Sequence, residues 1–259
     1  MAVRAHIAKL EGGRMRPVTR VLSIVLGWVL VAAIFHEGDA AAAPSLAPPS
    51  RQRGLTVVSI SLPENAVLLG IGWVVPLKPS GAVNINYTLT IPKNSSVKLH
   101  QFGLGLGIGL LSARQGFPLD IMPIGTANFM IGSGLPEKVS TNGYGYVIGV
   151  TIGKSLSVGN NIRIGATYTP LWTSSSSTLS VRGSGSDKQG SSKGLHNTTL
   201  SLMIHDLISL TPGVTFGKNL WNPGVALMIR NSVQLGADVA FIDDKKIPSF
   251  SVGWKTMFD

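Results

Sequence analysis

No cysteine occurs anywhere in the 259 residues, so disulfides, thiolate metal sites and cysteine nucleophiles are all excluded. Charge is scarce as well. Charged residues make up 13% of the chain, about half the share of an ordinary soluble domain. Helix-length apolar runs are missing except for one near the N-terminus, which rules out a bundle of membrane helices. Histidine is also rare, and beyond residue 43 only His100, His196 and His205 remain for acid–base chemistry. What the chain does contain is 44% hydrophobic residues, 31 glycines and 15 prolines. Hydrophobicity without long apolar runs is what a transmembrane barrel produces, because its apolar residues are spread over alternate positions.

The single apolar run has the grammar of a targeting segment. Arg14, Arg16 and Arg20 precede an apolar stretch over 21–35, followed by Ala40, Ala41, Ala42 and Ala43. A basic start, a short apolar core and small residues describe a secretory signal peptide, predicted over 1–42. Cleavage after Ala42 keeps Pro44 out of the first mature position. The competing reading is a retained anchor, for which the run is short. Residues 43–53 read as a proline-rich, basic linker, and 54–259 as the folded domain. Beyond Ala43 there are 17 Lys and Arg against 9 Asp and Glu, a net charge of about +8. Rim and loop charges are the plain explanation. Contact with anionic lipid head groups, or a lumen that favours anions, are the sharper ones. The cations are scattered, with no basic helix or arginine stripe, so no nucleic-acid partner is expected.

From residue 54 onward, odd and even positions separate by chemistry. Over 83–91 the odd positions are Val83, Ile85, Tyr87, Leu89 and Ile91, and the even ones Asn84, Asn86, Thr88 and Thr90. Over 102–110 Phe102, Leu104, Leu106, Ile108 and Leu110 alternate strictly with glycines. Tyr144, Tyr146, Ile148, Val150 and Ile152 face Gly145, Val147, Gly149 and Thr151 in the same way, as Ile162, Ile164, Ala166 and Tyr168 face Arg163, Gly165 and Thr167. This period of two predicts strands. A soluble sandwich would oppose its apolar face with a charged one. Here the opposing face is small, which suits a barrel interior and turns the apolar face toward lipid. The expected fold is therefore all-β: a closed antiparallel up-and-down transmembrane barrel.

Turn signals at 63–65, 79–81, 93–95 and 159–161 separate the alternating segments. Residues 173–194 are serine- and glycine-rich without a burial pattern and read as a mobile surface loop. The octet 149–156 recurs as 213–220, which reads as one strand-end pattern used twice.

The last residues carry the most specific motif. Ser251, Gly253 and Phe258 occupy the polar, glycine and aromatic positions of a terminal strand whose apolar parity is Phe250, Val252 and Trp254. Thr256 stands where that pattern has a hydrophobic residue, and Asp259 follows the aromatic. The segment resembles the C-terminal strand signal of bacterial outer-membrane β-barrels. That resemblance implies a bacterial outer-membrane location, outer-membrane lipids as surroundings, and recognition by the barrel-assembly machinery. Eleven alternating segments can be counted, whereas such barrels have an even number of strands. About ten strands result if 213–220 is not a separate strand. Twelve result if 230–232 is a turn.

Chemistry-bearing groups are sparse. His205 and Asp206 are adjacent on a strand pattern and would point to opposite faces, His205 inward. His196 follows the serine-rich tract near a rim. In lipid A deacylases a serine lies two residues after the histidine, and here that position is Thr198. These two are the weak catalytic candidates, and His100 shows no partner in the sequence. No clustered ligand set predicts a metal, no cofactor is expected, and 243–246 reads as a solvated charged turn. The glycine alternation at 103–109 is a strand face, not a phosphate-binding loop. Asn84, Asn86, Thr88, Thr90, Arg163, Thr167 and Thr169 are the expected lumen-lining residues. The functional expectation is a porin-like barrel, as a narrow passive channel or a structural surface protein. The alternatives are a lipid-modifying enzyme and an adhesin or assembly partner acting through 173–194.

Overall fold

The structure is a computed structural model that describes residues 54–258 apart from 64–65, 78–80, 94–95, 112–117, 136–138, 183–184, 206, 231 and 243–244. The predicted signal peptide and linker, residues 1–53, lie outside the described residues. Twelve strands follow one another: β1 (Gly54–Pro63), β2 (Ala66–Leu77), β3 (Gly81–Pro92), β4 (Lys98–Ile108), β5 (Asp120–Ser133), β6 (Val139–Val158), β7 (Ile162–Val181), β8 (Gly185–Ile204), β9 (Ile208–Gly217), β10 (Leu220–Ile229), β11 (Val233–Ile242) and β12 (Lys245–Phe258). Each pairs antiparallel with the next, and β1 pairs with β12 to close the barrel.

The count settles at twelve because the chain turns at Arg230 and Ser232, between Ile229 and Val233. Arg230 takes a left-handed φ of 51°, and Ser232 donates its N–H to the Ile229 carbonyl. The alternating segment 224–241 is thereby cut into β10 and β11. The turn at 159–161 joins β6 to β7, with Gly159 at φ 64° supplying the left-handed residue. Of the expected charged turn at 243–246, Lys245 and Lys246 begin β12 instead, and 243–244 lie outside the described residues. The octet repeat falls in different places. Residues 149–156 run through the interior of β6, whereas 213–220 end β9 and turn into β10, so it is not one strand-end device used twice.

Residues 173–181 and 185–194 of the serine-rich tract are strand, not loop. They pair from Thr173↔Lys193 up to Ser180↔Ser186 as the outer halves of β7 and β8. Hydroxyls tie the two strands side by side, Ser175 to Ser191 at 3.2 Å and Ser192 to Ser174 at 3.1 Å. An apolar face is not needed to hold a ladder when the backbone bonds close.

Because the strand number is even, β1 starts and β12 ends on the same rim, here called the near rim; the opposite one is the far rim. Followed once around the wall, the pairing registers return to β1 displaced by about 14 residues. For twelve strands this shear sets a tilt of roughly 40° and a backbone radius of about 12 Å. The large apolar side chains stand on the outer face: Leu104 is 57% exposed, Ile148 53%, Phe250 62%. A wall so exposed in apolar side chains is the outer face of a membrane-spanning barrel, because water would not tolerate it.

The inner face is built on glycine pairing. Each of several inward glycines lies directly across from a larger inward residue: Gly70 from Ser59, Gly165 from Ser201, Gly224 from Asp238, Gly149 from Leu171 and Gly217 from Leu195. A Cβ on Gly149 would meet the Pro170 carbonyl oxygen at 2.5 Å and a Leu171 methyl at 2.7 Å. The leucines therefore lie along the wall, in space a side chain would otherwise occupy. Leu99, Leu171 and Leu195 are all buried in this way toward the far rim.

Candidate functional site

On the inner face, Asn84, Asn86, Thr88 and Thr90 share one side of β3, and Arg163, Thr167 and Thr169 share one side of β7. Thr88, Thr90 and Thr169 are buried, while Asn84, Asn86 and Arg163 are half-buried. Hydroxyls pair laterally, Thr167 with Thr199 at 2.6 Å and Thr169 with Thr151 at 3.2 Å. Asn197 donates its amide to Thr215 at 3.0 Å. Further inward residues escaped the sequence reading: Gln101 on β4, Thr126 and Asn128 on β5, Asp238 on β11 and Lys255 on β12. The Asn86 and Asn128 side chains converge on Gly103, which pairs with both. Alternation is weaker along β5 because Gly125 and Ala127 fill outward places, which hid Thr126 and Asn128. Among the described residues no three His, Asp or Glu gather into a metal-sized cluster.

Ser251 and Gly253 face inward on β12, and Phe258 pairs with Gly54 at the seam where β12 closes on β1. The residues of the terminal motif thus lie on the strand that completes the barrel.

The outer face carries rings in register. Tyr87, Phe102, Phe129 and Tyr144 are successive cross-strand partners over β3–β6. His196, Phe216, Trp221 and Phe241 are successive partners over β8–β11. His196 therefore follows strand, not loop, and its partner Phe216 lies next to the far end of β9. His196 stands within β8, pointing outward, stacked between Tyr168 (5.9 Å) and Phe216 (5.2 Å), with its Nδ1 2.7 Å from the Tyr168 hydroxyl. His205 is not inward on a strand either. It is exposed in the β8–β9 turn with φ 52°, where its N–H bonds the Asn161 carbonyl. Asp206 lies outside the described residues.

His100, for which the sequence offered no partner, has two. It faces outward near the far rim, its Nδ1 2.8 Å from the Tyr87 hydroxyl and its Nε2 2.8 Å from the Ser133 Oγ. Ser133 ends β5, one cross-strand step from Lys98. These three residues are far apart in sequence, and only the β3–β4–β5 register unites them. No motif spacing could have announced them.

No protein-family model matches the chain, and no curated protein does. Solved structures do match. The translocator domain of the autotransporter NalP from Neisseria meningitidis superposes with a TM-score of 0.54 at 14% identity, covering 93% of this chain and 98% of that one. The β domain of the Bordetella autotransporter BrkA gives 0.48 at 12% identity, covering 78% and 97%. The KdgM porin in complex with disordered oligogalacturonate gives 0.47 at 8%, covering 77% and 98%. The first of these shows a shared barrel fold; at such identities the likeness extends to nothing beyond fold.

Proposed function

We propose that this chain is a bacterial outer-membrane barrel of porin-like type that serves as a narrow passive channel. The observation that carries the reading is the inner face. Twelve strands set a backbone radius of about 12 Å, and much of the lining is glycine, serine, threonine or asparagine, with the larger leucines lying along the wall. Such a lining leaves room for water and keeps it hydrogen-bonded. Arg163 and Lys255, both inward toward the near rim, give ions a field to respond to. The outer rings and the apolar wall suit a lipid bilayer, and the terminal strand with Ser251, Gly253 and Phe258 suits delivery by the barrel-assembly machinery.

Planar-bilayer recording with the purified, folded protein tests this. Discrete conductance steps are expected, and Arg163→Glu should shift the reversal potential in a salt gradient toward cation preference. A folded barrel that carries no current ends the channel reading.

A further inference from the structure

We propose that Ser133, His100 and Tyr87 form a serine-hydrolase triad on the lipid-facing wall, acting on carboxylic esters of lipids in the leaflet at the far rim. The reading goes beyond the channel function. It rests on the outer wall meeting lipid, and not on the lumen conducting.

Geometry makes the first argument. A nucleophilic serine needs a base within hydrogen-bond reach, and the base needs a third group to orient it. His100 meets both conditions at once, with Nε2 2.8 Å from Ser133 Oγ and Nδ1 2.8 Å from Tyr87 Oη. Tyr87 is itself held by Phe102, ring centroids 5.0 Å apart. The molecule contains its own comparison. Tyr168 and His196 repeat the tyrosine–histidine pairing, but His196 stacks against Phe216 and its hydrogen bond goes to Tyr168, not to a serine.

Placement makes the second argument. Ser133 closes β5 and Lys98 opens β4, so both stand at the far rim, beside the apolar rows of β3–β6. A lipid lying along those rows would bring its ester bonds, which sit between acyl chain and head group, to the level of the serine. Lys98 is the direct cross-strand partner of Ser133 and is exposed on the same face. Its ammonium is within side-chain reach of a carbonyl oxygen there and suits a developing oxyanion or a lipid phosphate.

The chemistry balances without a metal or cofactor. Ser133 Oγ attacks the ester carbonyl while its proton passes to His100 Nε2, with Nδ1–H donating to the Tyr87 oxygen. The tetrahedral intermediate collapses, the alcohol leaves carrying the proton from Nε2, and Ser133 is acylated. Water then attacks the acyl group, its proton going to Nε2, and the fatty acid departs as Ser133 regains its hydrogen. Tyr87 is a positioning residue: it holds the ring that moves the proton.

The test uses the full chain folded in detergent micelles. An alkyl fluorophosphonate should add to Ser133, read by peptide mass, and mixed micelles of phosphatidylethanolamine should release fatty acid. Ser133→Ala and His100→Asn should each lower release by about 100-fold or more, His196→Asn should not, and Tyr87→Phe should lower kcat with KM unchanged. Heat-modifiable gel migration verifies that each variant is folded, and Ser133→Cys, labelled by a thiol-directed ester analogue, covers the case in which the alanine variant fails to fold. A folded wild-type barrel with no adduct on Ser133, and fatty-acid release equal to that of Ser133→Ala, overturns the proposal, even if the same barrel conducts ions.

Discussion

Glycine is the residue on which the inner wall depends, and its role is spatial rather than conformational at most positions. Gly149 has ordinary strand geometry, yet a Cβ there would press on the Pro170 carbonyl and on Leu171. Backbone oxygen cannot swing aside as a side-chain tip can. Gly149→Val is therefore expected to destabilise the folded barrel by about 1–3 kcal/mol, measured as a lower urea midpoint in lipid vesicles; an unchanged midpoint would mean that the β6–β7 wall has slack. The glycines themselves were plain in the sequence as the face opposite the apolar residues. Their partners were not, since Gly149 meets Leu171 only through the β6–β7 register. The same limit applies to Ser133, His100 and Tyr87. Residues joined by pairing across three strands leave no spacing to read.

At the level of elements, alternation located the strands and proline misplaced several of their ends. Clean alternation resumes at 213, 224 and 249, just after Pro212, Pro223 and Pro248, but β9, β10 and β12 all run through those prolines. Each proline removes a ladder donor, a loss that neighbouring pairs absorb when both flanking strands are continuous. The serine-rich hairpin was missed for another reason. Its outer half carries no apolar parity, so period-two reading had nothing to detect, while its hydrogen bonds run on to Val181↔Gly185. β8 pairs with β9 only from Leu195 inward, which leaves 185–194 standing beyond β9. Ser191→Pro should accordingly open the hairpin without harming the barrel. Limited proteolysis is expected to cut near 185–191 in the variant and not in the wild type, with heat-modifiable migration retained; loss of that migration would mean that the hairpin supports the wall.

For the whole molecule, one physical contrast orders everything else. The outer face is large and apolar, the inner face small and polar, and only lipid outside makes that arrangement stable. The fold class was legible from this contrast in Leu104, Leu106 and Ile108 against Gly103, Gly105 and Gly107. The strand number was not, because one turn at 230–232 has no glycine or proline to mark it and relies on Arg230 in a left-handed conformation. Shear and radius, and with them the room inside, follow only once the number is known. The absence of native cysteine makes the orientation open to direct measurement. Single cysteines placed in turn at Ile85, Asn86 and Tyr87, and at Leu104 and Thr126, can be challenged with a water-soluble maleimide in lipid vesicles. Slow reaction at Ile85, Tyr87 and Leu104 with faster reaction at Asn86 and Thr126 is the predicted result. The reverse alternation, or equal rates at all of these positions, would contradict a barrel whose apolar face meets lipid.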